Sequence, residues 1–293
     1  MAEALQLRSS LDPPPELRLL APDDVDPDPA TARDLFAPAL ASEDAGRTAA
    51  HALERAVELA LAGEVDGIVT GPVHKPSLRA SGWSYPGQTE FLGERTGSGP
   101  VGMLMAAEHT RLDAPLRVLL ATTHIPLRTV TEHLSVDGFV QQAELLHHAL
   151  RRDWGFPDPS LALCAVNPHA SDGGLFGDEE RRLQEPAVER LRAQGVRIEG
   201  PLPADTVFTR ALGGDFDAVV APYHDVGMAA FKTVAFGGGV NVTLGLPFVR
   251  TSPDHGTAFS LAGRDEADPS SMLEAIRMAS LLASRRRAGP GGA

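Results

Sequence analysis

The sequence predicts an α/β protein built around a parallel sheet, and two observations carry that expectation. Four short runs, VDGIVT (65–70), LRVLLATT (116–123), LALCAVN (161–167) and FDAVVAPY (216–223), are apolar almost throughout. That is the pattern of strands buried on both faces. Segments with helical spacing separate them, as crossover connections between parallel strands require.

The elements follow in order. Residues 1–45 are rich in Pro, Asp and Ala (DPPPE, APDDVDPDPA) and read mostly as irregular. Across 44–62, Leu53, Val57, Ala60 and Leu61 share one helical face, and Gly63 suits the C-terminal cap. Further helices are expected over 136–152, 178–194 and 268–285. The third of these four begins DEER and is followed by Gly195. The stretch GGGVNVTLGLPFVRTS is rich in turn residues and is expected to be a loop and strand lining a cleft. The tail RRRAGPGGA is expected to fray. No internal repeat is present.

Bulk properties narrow the function class. The 293 residues suffice for one large or two ordinary domains, and 43% hydrophobic with 22% charged residues is a globular composition. A net charge of -13 argues against a nucleic-acid partner but leaves room for a local anion pocket. The single cysteine, Cys164, excludes an internal disulfide and points to a reducing compartment, hence a cytoplasmic location. Within LALCAV it reads as a small buried hydrophobe. The start MAEALQLRSS lacks a basic segment followed by an apolar one, so no signal peptide is expected. No apolar run approaches the ~18 residues of a membrane span, so no membrane partner is expected.

Three of the ten histidines follow predicted strands: His124 after LRVLLATT, His169 after LALCAVNP and His224 after FDAVVAPY. Open parallel sheets bind ligands outside the carboxyl ends of their strands. Any one such histidine is ordinarily a satisfied side chain. Three together suit a divalent metal with positions left open for substrate, Zn, Co or Mn over Ca. On spacing alone both readings stand. Asp225 and Asp205 are the carboxylates that could orient imidazoles or handle a proton, while Asp205 also reads as a helix or turn cap. His74, Lys75, Lys232, Asn241 and Arg250 lie in glycine-rich or apolar segments. They form a second candidate group, suited to a phosphate or carboxylate. No GxGxxG follows a strand, and neither GxxxxGK[ST] nor GxSxG occurs.

Seven segments stand in series, TGPVHK, GQTEFLGERTG, ATTHIPLR, NPHASDGGLFGDEE, GPLPADTVF, YHDVG and GVNVTLGLPFVRTSPDHGTAFSLAGR, within a match that runs from about residue 44 to about 285. Together they resemble the 4-hydroxythreonine-4-phosphate dehydrogenase family of pyridoxal phosphate biosynthesis. The resemblance implies two α/β/α domains with a cleft, as in isocitrate and isopropylmalate dehydrogenases. Residues 1–85 plus 245–293 would form the first, N-terminally shortened domain, and 86–244 the second. It implies a homodimer with its site near the interface and a small phosphorylated hydroxy acid as substrate. NAD, with NADP as the alternative, and one divalent metal per subunit (Zn, Co, Mn or Mg) would be the cofactors.

The resemblance also implies residue roles. His124, His169 and His224 would bind the metal. Gln88, Thr89, Lys232, Asn241 and Arg250 would bind substrate. Asp225, Asp205 and Lys232 would be catalytic, and Leu246, Pro247, Thr251, Asp254 and His255 would form a cofactor-side loop. The implied reaction is oxidation of a secondary alcohol, followed by loss of carbon dioxide from the β-keto acid. This chain departs from the family pattern in three places. The N-terminal GDPAGIGPE-type loop has no counterpart, Gln88 replaces the histidine of GHTEF, and Val226 stands where YHDQG has glutamine. The departures keep two alternatives open: a dehydrogenase of D-threonate or D-erythronate 4-phosphate, and a metabolite-binding relic without turnover.

Overall fold

The computed structural model describes residues 41–288; the expectation of irregular structure falls almost wholly on 1–40, outside the described residues. The described residues form two compact units, one from 41–98 with 246–281 and the other from 99–245 with 282–288.

In the first unit β1 (Gly67–Val69) pairs in parallel with β8 (Val249–Pro253). Helix α1 (Glu43–Leu61) is capped by Ser42, whose side chain accepts from the Ala45 amide, and contacts β1. Leu53, Val57 and Ala60 are buried as expected, but Leu61 is 51% exposed because the buried stripe runs through Leu59 instead. Helices α2 (Lys75–Ala80) and α3 (Gln88–Arg95) follow. Helix α3 was expected in the other unit. It belongs here because Phe91 stacks with Trp83 and Tyr85 and the Gln88 side chain holds the Gly71 carbonyl.

The second unit carries six strands in the order β7-β2-β3-β6-β4-β5: Val240–Leu244, Gly102–Ala107, Leu116–Leu120, Ala218–Ala221, Ser160–Cys164 and Arg197–Leu202. β3, β6, β4 and β5 run in parallel, while β2 is antiparallel to both β3 and β7. The sheet is therefore mixed and not purely parallel. β2 and β3 are joined by residues 108–115 with no helix between them, so the chain turns back as a hairpin. The turn-rich stretch around 237–252 likewise forms two strands, β7 and β8, each largely buried.

One face of this sheet packs Met105, Val118, Leu120, Ala162, Val219 and Ala221 against helices α6 (Ala204–Leu212) and α7 (His224–Ala235). Phe231 of α7 is fully buried there, which contributes roughly 1.5–3 kcal/mol. The alternate residues Leu104, Leu119 and Val220 are also fully buried. Strand side chains alternate between faces, so these lie on the opposite one. Helix α4 (Val136–Asp153) contacts β2, β3 and β7, and α5 (Glu185–Ala193) contacts β5 and α4. Residues 180–184, expected as the start of α5's helix, form one π-helical turn.

The last helix, α8 (Ser270–Ala288), continues through RRRA, so that part of the tail does not fray; 289–293 lie outside the described residues. Arg285 donates to the Trp154 carbonyl, and Arg286 grips both oxygens of Asp153 at 2.9 and 2.8 Å. Arg152 donates to the same two oxygens of this buried carboxylate. Burial pushes the Asp153 carboxyl up, but the hydrogen bonds from Arg152 and Arg286 outweigh it and hold the group below its ordinary value.

Arg286→Ala should lower the unfolding free energy by about 1.5–3 kcal/mol at neutral pH, measured by urea denaturation. A carboxyl depressed in the folded state contributes stability above its unfolded pKa of about 3.9 and loses it as pH falls through the folded value. The gap between wild type and variant should therefore narrow in acid. A gap that stays constant would show that Asp153 is not the partner that matters.

Candidate functional site

In the second unit the four parallel strands β3, β6, β4 and β5 end on one edge, and one candidate residue follows each end. His124 comes after β3, His224 after β6, His169 after β4 and Asp205 after β5. β3 and β6 are direct neighbours, and the His124 and His224 rings lie 5.0 Å apart. His169 does not join them. Its Nδ1 lies 3.9 Å from Asp205 Oδ2, near the carboxylate but beyond hydrogen-bond reach. Among the described residues, no three of His, Cys, Asp and Glu are grouped around one point.

The divergence of His169 has a local cause. From His169 to Gly173 five successive residues take positive φ, 53°, 53°, 70°, 44° and 68°. Four of these are not glycine, and each such residue costs about 1 kcal/mol or more. This left-handed loop turns the ring toward the end of β5.

His224 and Asp225 also depart from expectation. An extended chain continuing past FDAVVAPY would send neighbouring side chains in opposite directions and keep these two apart. His224 opens helix α7, where successive side chains are about 100° apart, and its Nδ1 lies 2.7 Å from Asp225 Oδ1. A carboxylate oxygen can only accept, so Nδ1 is the donor of this bond, and in the neutral ring that leaves the lone pair on Nε2. Gly227 lets this helix start sit low on the sheet: a Cβ there would lie 2.7 Å from Leu120 Cδ2.

Lys232 lies further along α7, half-buried, with its Nζ 5.9 Å from the Phe236 ring centroid. Asn241 on β7 has a buried Oδ1 that accepts no hydrogen bond among the described residues. Cys164 is fully buried and its thiol is pushed up to about 12 by burial and then by Glu180, so it behaves as the core residue expected.

In the first unit Arg250, 4% exposed on β8, donates from Nη2 to Thr70 Oγ1 at 2.7 Å and Gln88 Oε1 at 3.1 Å. Gln88 in turn donates to the Gly71 carbonyl at 3.2 Å. Burial lowers the guanidinium to about 10, so it stays cationic at neutral pH. Thr89 sits half-buried in the first turn of α3. His74 caps α2, accepting from the Ser77 amide, and stacks edge-on with Phe259; Lys75 beside it is exposed.

The expected cofactor loop divides. Leu246 is 1% exposed, and buried Thr251 donates to the Ala275 carbonyl, so both are packing residues. Pro247 and His255 are exposed and Asp254 half-buried.

Sequence reasoning missed Glu180, Asn167, Ser171 and Thr70. The first three lie in NPHASDGGLFGDEE, and the signal available was a carboxylate pair following a glycine-rich loop. Glu180 is 2% exposed and accepts from the Asn167 amide, from Asn167 Nδ2 and from Ser171 Oγ. Burial raises its pKa, and these hydrogen bonds outweigh that to leave it lowered.

The donor chemistry fits a divalent ion of borderline softness: neutral imidazoles with carboxylates at their Nδ1 atoms are the usual arrangement around such metals. His124 and His224 are the pair that one chain brings together, with His169 and Asp205 beside the next strand ends.

Residues 18–279 match the family described as pyridoxal phosphate biosynthetic protein PdxA. The 4-hydroxythreonine-4-phosphate dehydrogenase of Paracoccus denitrificans is 47% identical over 235 residues, covering 80% of this chain and 72% of the relative. That of Citrobacter koseri is 43% identical over 251 residues, covering 86% and 74%. Among solved structures, a 4-hydroxythreonine-4-phosphate dehydrogenase from Klebsiella pneumoniae aligns with TM-score 0.76 at 42% identity, covering 83% of this chain and 73% of that one. A terephthalate 1,2-cis-dihydrodiol dehydrogenase from Burkholderia xenovorans aligns with TM-score 0.62 at 31% identity, covering 85% and 77%.

The His224–Asp225 contact is open to direct test. Nitrogen NMR of labelled imidazoles should find neutral His224 with its proton on Nδ1, and Asp225→Asn should redistribute it between the two nitrogens. A His224 protonated on Nε2 in the wild type would contradict the geometry.

Proposed function

The chain belongs to the PdxA family of pyridoxal phosphate biosynthetic proteins, and from that membership we propose that it oxidises 4-hydroxythreonine 4-phosphate (4-phosphooxy-L-threonine) with NAD. The product is a β-keto acid that loses carbon dioxide to give 3-amino-2-oxopropyl phosphate. The observation that carries this reading is the row of His124, His224, His169 and Asp205 past four adjacent parallel strands. It is the edge where an open α/β sheet keeps its chemistry.

The residues divide the work as follows. Arg250, preset by Thr70 and Gln88, offers a desolvated cation to the substrate's phosphate or carboxylate. Thr89 and Gln88 complete that contact from the start of α3. The vacant acceptor of Asn241 suits a substrate ammonium or hydroxyl donor. His124, His169 and His224 would hold one divalent ion, Zn, Co, Mn or Mg, and a second copy of the chain would close the shell as a homodimer. Asp225 keeps the Nε2 atom of His224 available for this ion, and Asp205 stands 3.9 Å from His169 Nδ1 without a hydrogen bond.

When bound, the ion supplies Lewis acidity to a substrate oxygen that gains negative charge. NAD would take up the carbinol hydrogen with its electron pair while the hydroxyl proton passes to a base, so that the alcohol becomes a ketone with NADH and a proton as co-products. Decarboxylation then breaks one carbon–carbon bond, and the electron pair it leaves is taken up as an enolate that is reprotonated. We assign Lys232 to this proton traffic because both aspartates are turned toward imidazoles.

Gln88 favours keeping a second reading in play: its amide oxygen is occupied by Arg250 and its nitrogen by Gly71. D-threonate and D-erythronate 4-phosphate are the alternative substrates. Purified protein freed of metal and resupplied with each ion should form NADH fastest with 4-hydroxythreonine 4-phosphate. Faster turnover of either sugar acid would reassign the substrate, and no turnover with any would remove the enzymatic reading. Arg250→Ala should raise KM by about 30-fold or more, the equivalent of roughly 2–5 kcal/mol, in a protein that stays folded. An unchanged KM would take Arg250 out of the site.

A further inference from the structure

We propose that Glu180 is the positioning residue for His169, holding the strained loop that carries this imidazole so that its ring is preset for the ion. The proposal rests on the metal reading given above and extends it to a residue outside the donor set.

Three features of the structure converge on Glu180. First, its carboxylate tethers both sides of His169. Asn167, two residues before, donates its backbone amide at 2.6 Å and its Nδ2 at 2.9 Å. Ser171, two residues after, donates its hydroxyl. A single buried anion thus spans the loop on either side of the ligand candidate. Second, the loop needs such a tether. His169, Ala170, Ser171 and Asp172 all sit at positive φ without being glycine. Conformations of this kind persist only where the surroundings over-determine them, and they concentrate at functional sites. Third, the tether is itself anchored. Glu180 opens a π-helical turn whose last residue, Gln184, is fully buried and donates to the Cys164 carbonyl at the end of β4 at 2.8 Å. The loop is therefore fixed to the strand from which it departs.

Gly177 supports the same arrangement. At φ 138° it leaves room that a Cβ would fill, 2.6 Å from Asn167 Nδ2. Glu179 uses that room to accept a second bond from Asn167 Nδ2 at 2.7 Å. His169 itself stays largely exposed, and the hydrogen bonds of Glu180 go to Asn167 and Ser171, so the carboxylate acts through the loop on either side of the ring and not as a ligand.

The test measures Co(II) affinity by the visible absorption of the bound ion, in wild type, Glu180→Gln, His169→Ala and the double variant. Glu180→Gln keeps the size of the side chain but removes the charge and presents an amide donor to an environment made of donors. It should weaken binding about 10- to 100-fold, the range for residues that orient metal ligands. If it acts through His169, it should have no further effect in the His169→Ala background. Ser171→Ala, which removes one tether and keeps the carboxylate, should weaken binding by a smaller factor and supplies the answer if Glu180→Gln does not fold. Unchanged affinity in folded Glu180→Gln or Ser171→Ala, or equal losses with and without His169, would overturn the positioning role. A wild-type protein that binds no Co(II) would instead overturn the metal reading on which it rests.

Discussion

The parallel register of β3, β6, β4 and β5 is the constraint on which the site depends. Val118 pairs with Val219, Leu161 with Ala218, and Leu161 with Ile198. Strands in register end together, so residues that follow their last buried positions emerge along one edge. The side chains that fix the register are fully buried on both faces, and a slip of one residue would turn each of them to the wrong layer. The core therefore specifies the site indirectly. It places four chain exits side by side, and local structure after each exit decides what the functional groups do.

Those local solutions differ. After β6 the chain goes straight into a helix, and the helical angle between neighbours brings Asp225 onto His224. After β4 it enters a left-handed loop whose conformational cost is met by a buried carboxylate. In the first unit Arg250 is set by burial and by Thr70 and Gln88, so its charge is desolvated before any ligand arrives. In each case a polar group is ordered in advance, which lowers what binding must order later.

Much of this was legible in the sequence, and the gaps have physical reasons. Fully apolar strands flanked by helices announced the α/β class, and the histidines stood out because each follows such a strand. The antiparallel β2 was not legible: GMLMAA is as apolar as its parallel neighbours, and direction is set by the connection, not by composition. The His169 loop was not legible either, since its left-handed residues are mostly not glycine. The His224–Asp225 contact was misread because the chain past FDAVVAPY reads as extended in the sequence, whereas a helix begins at His224 itself. Thr251 and Leu246 looked like loop residues among prolines and glycines, yet β8 carries Thr251 into the core and Leu246 is buried just before it. Glu180 carries chemistry that only three-dimensional closure shows, because its partners lie nine to thirteen residues earlier.

The central claim is that the strand ends bring three imidazoles to one divalent ion. Crystals grown with zinc and measured at its absorption edge test it most directly. The account predicts one anomalous peak per chain, about 2.0–2.1 Å from a ring nitrogen of His124, His169 and His224, with some of these donated by a second copy. A peak bound elsewhere, or one that leaves any of the three histidines uncoordinated, would contradict it.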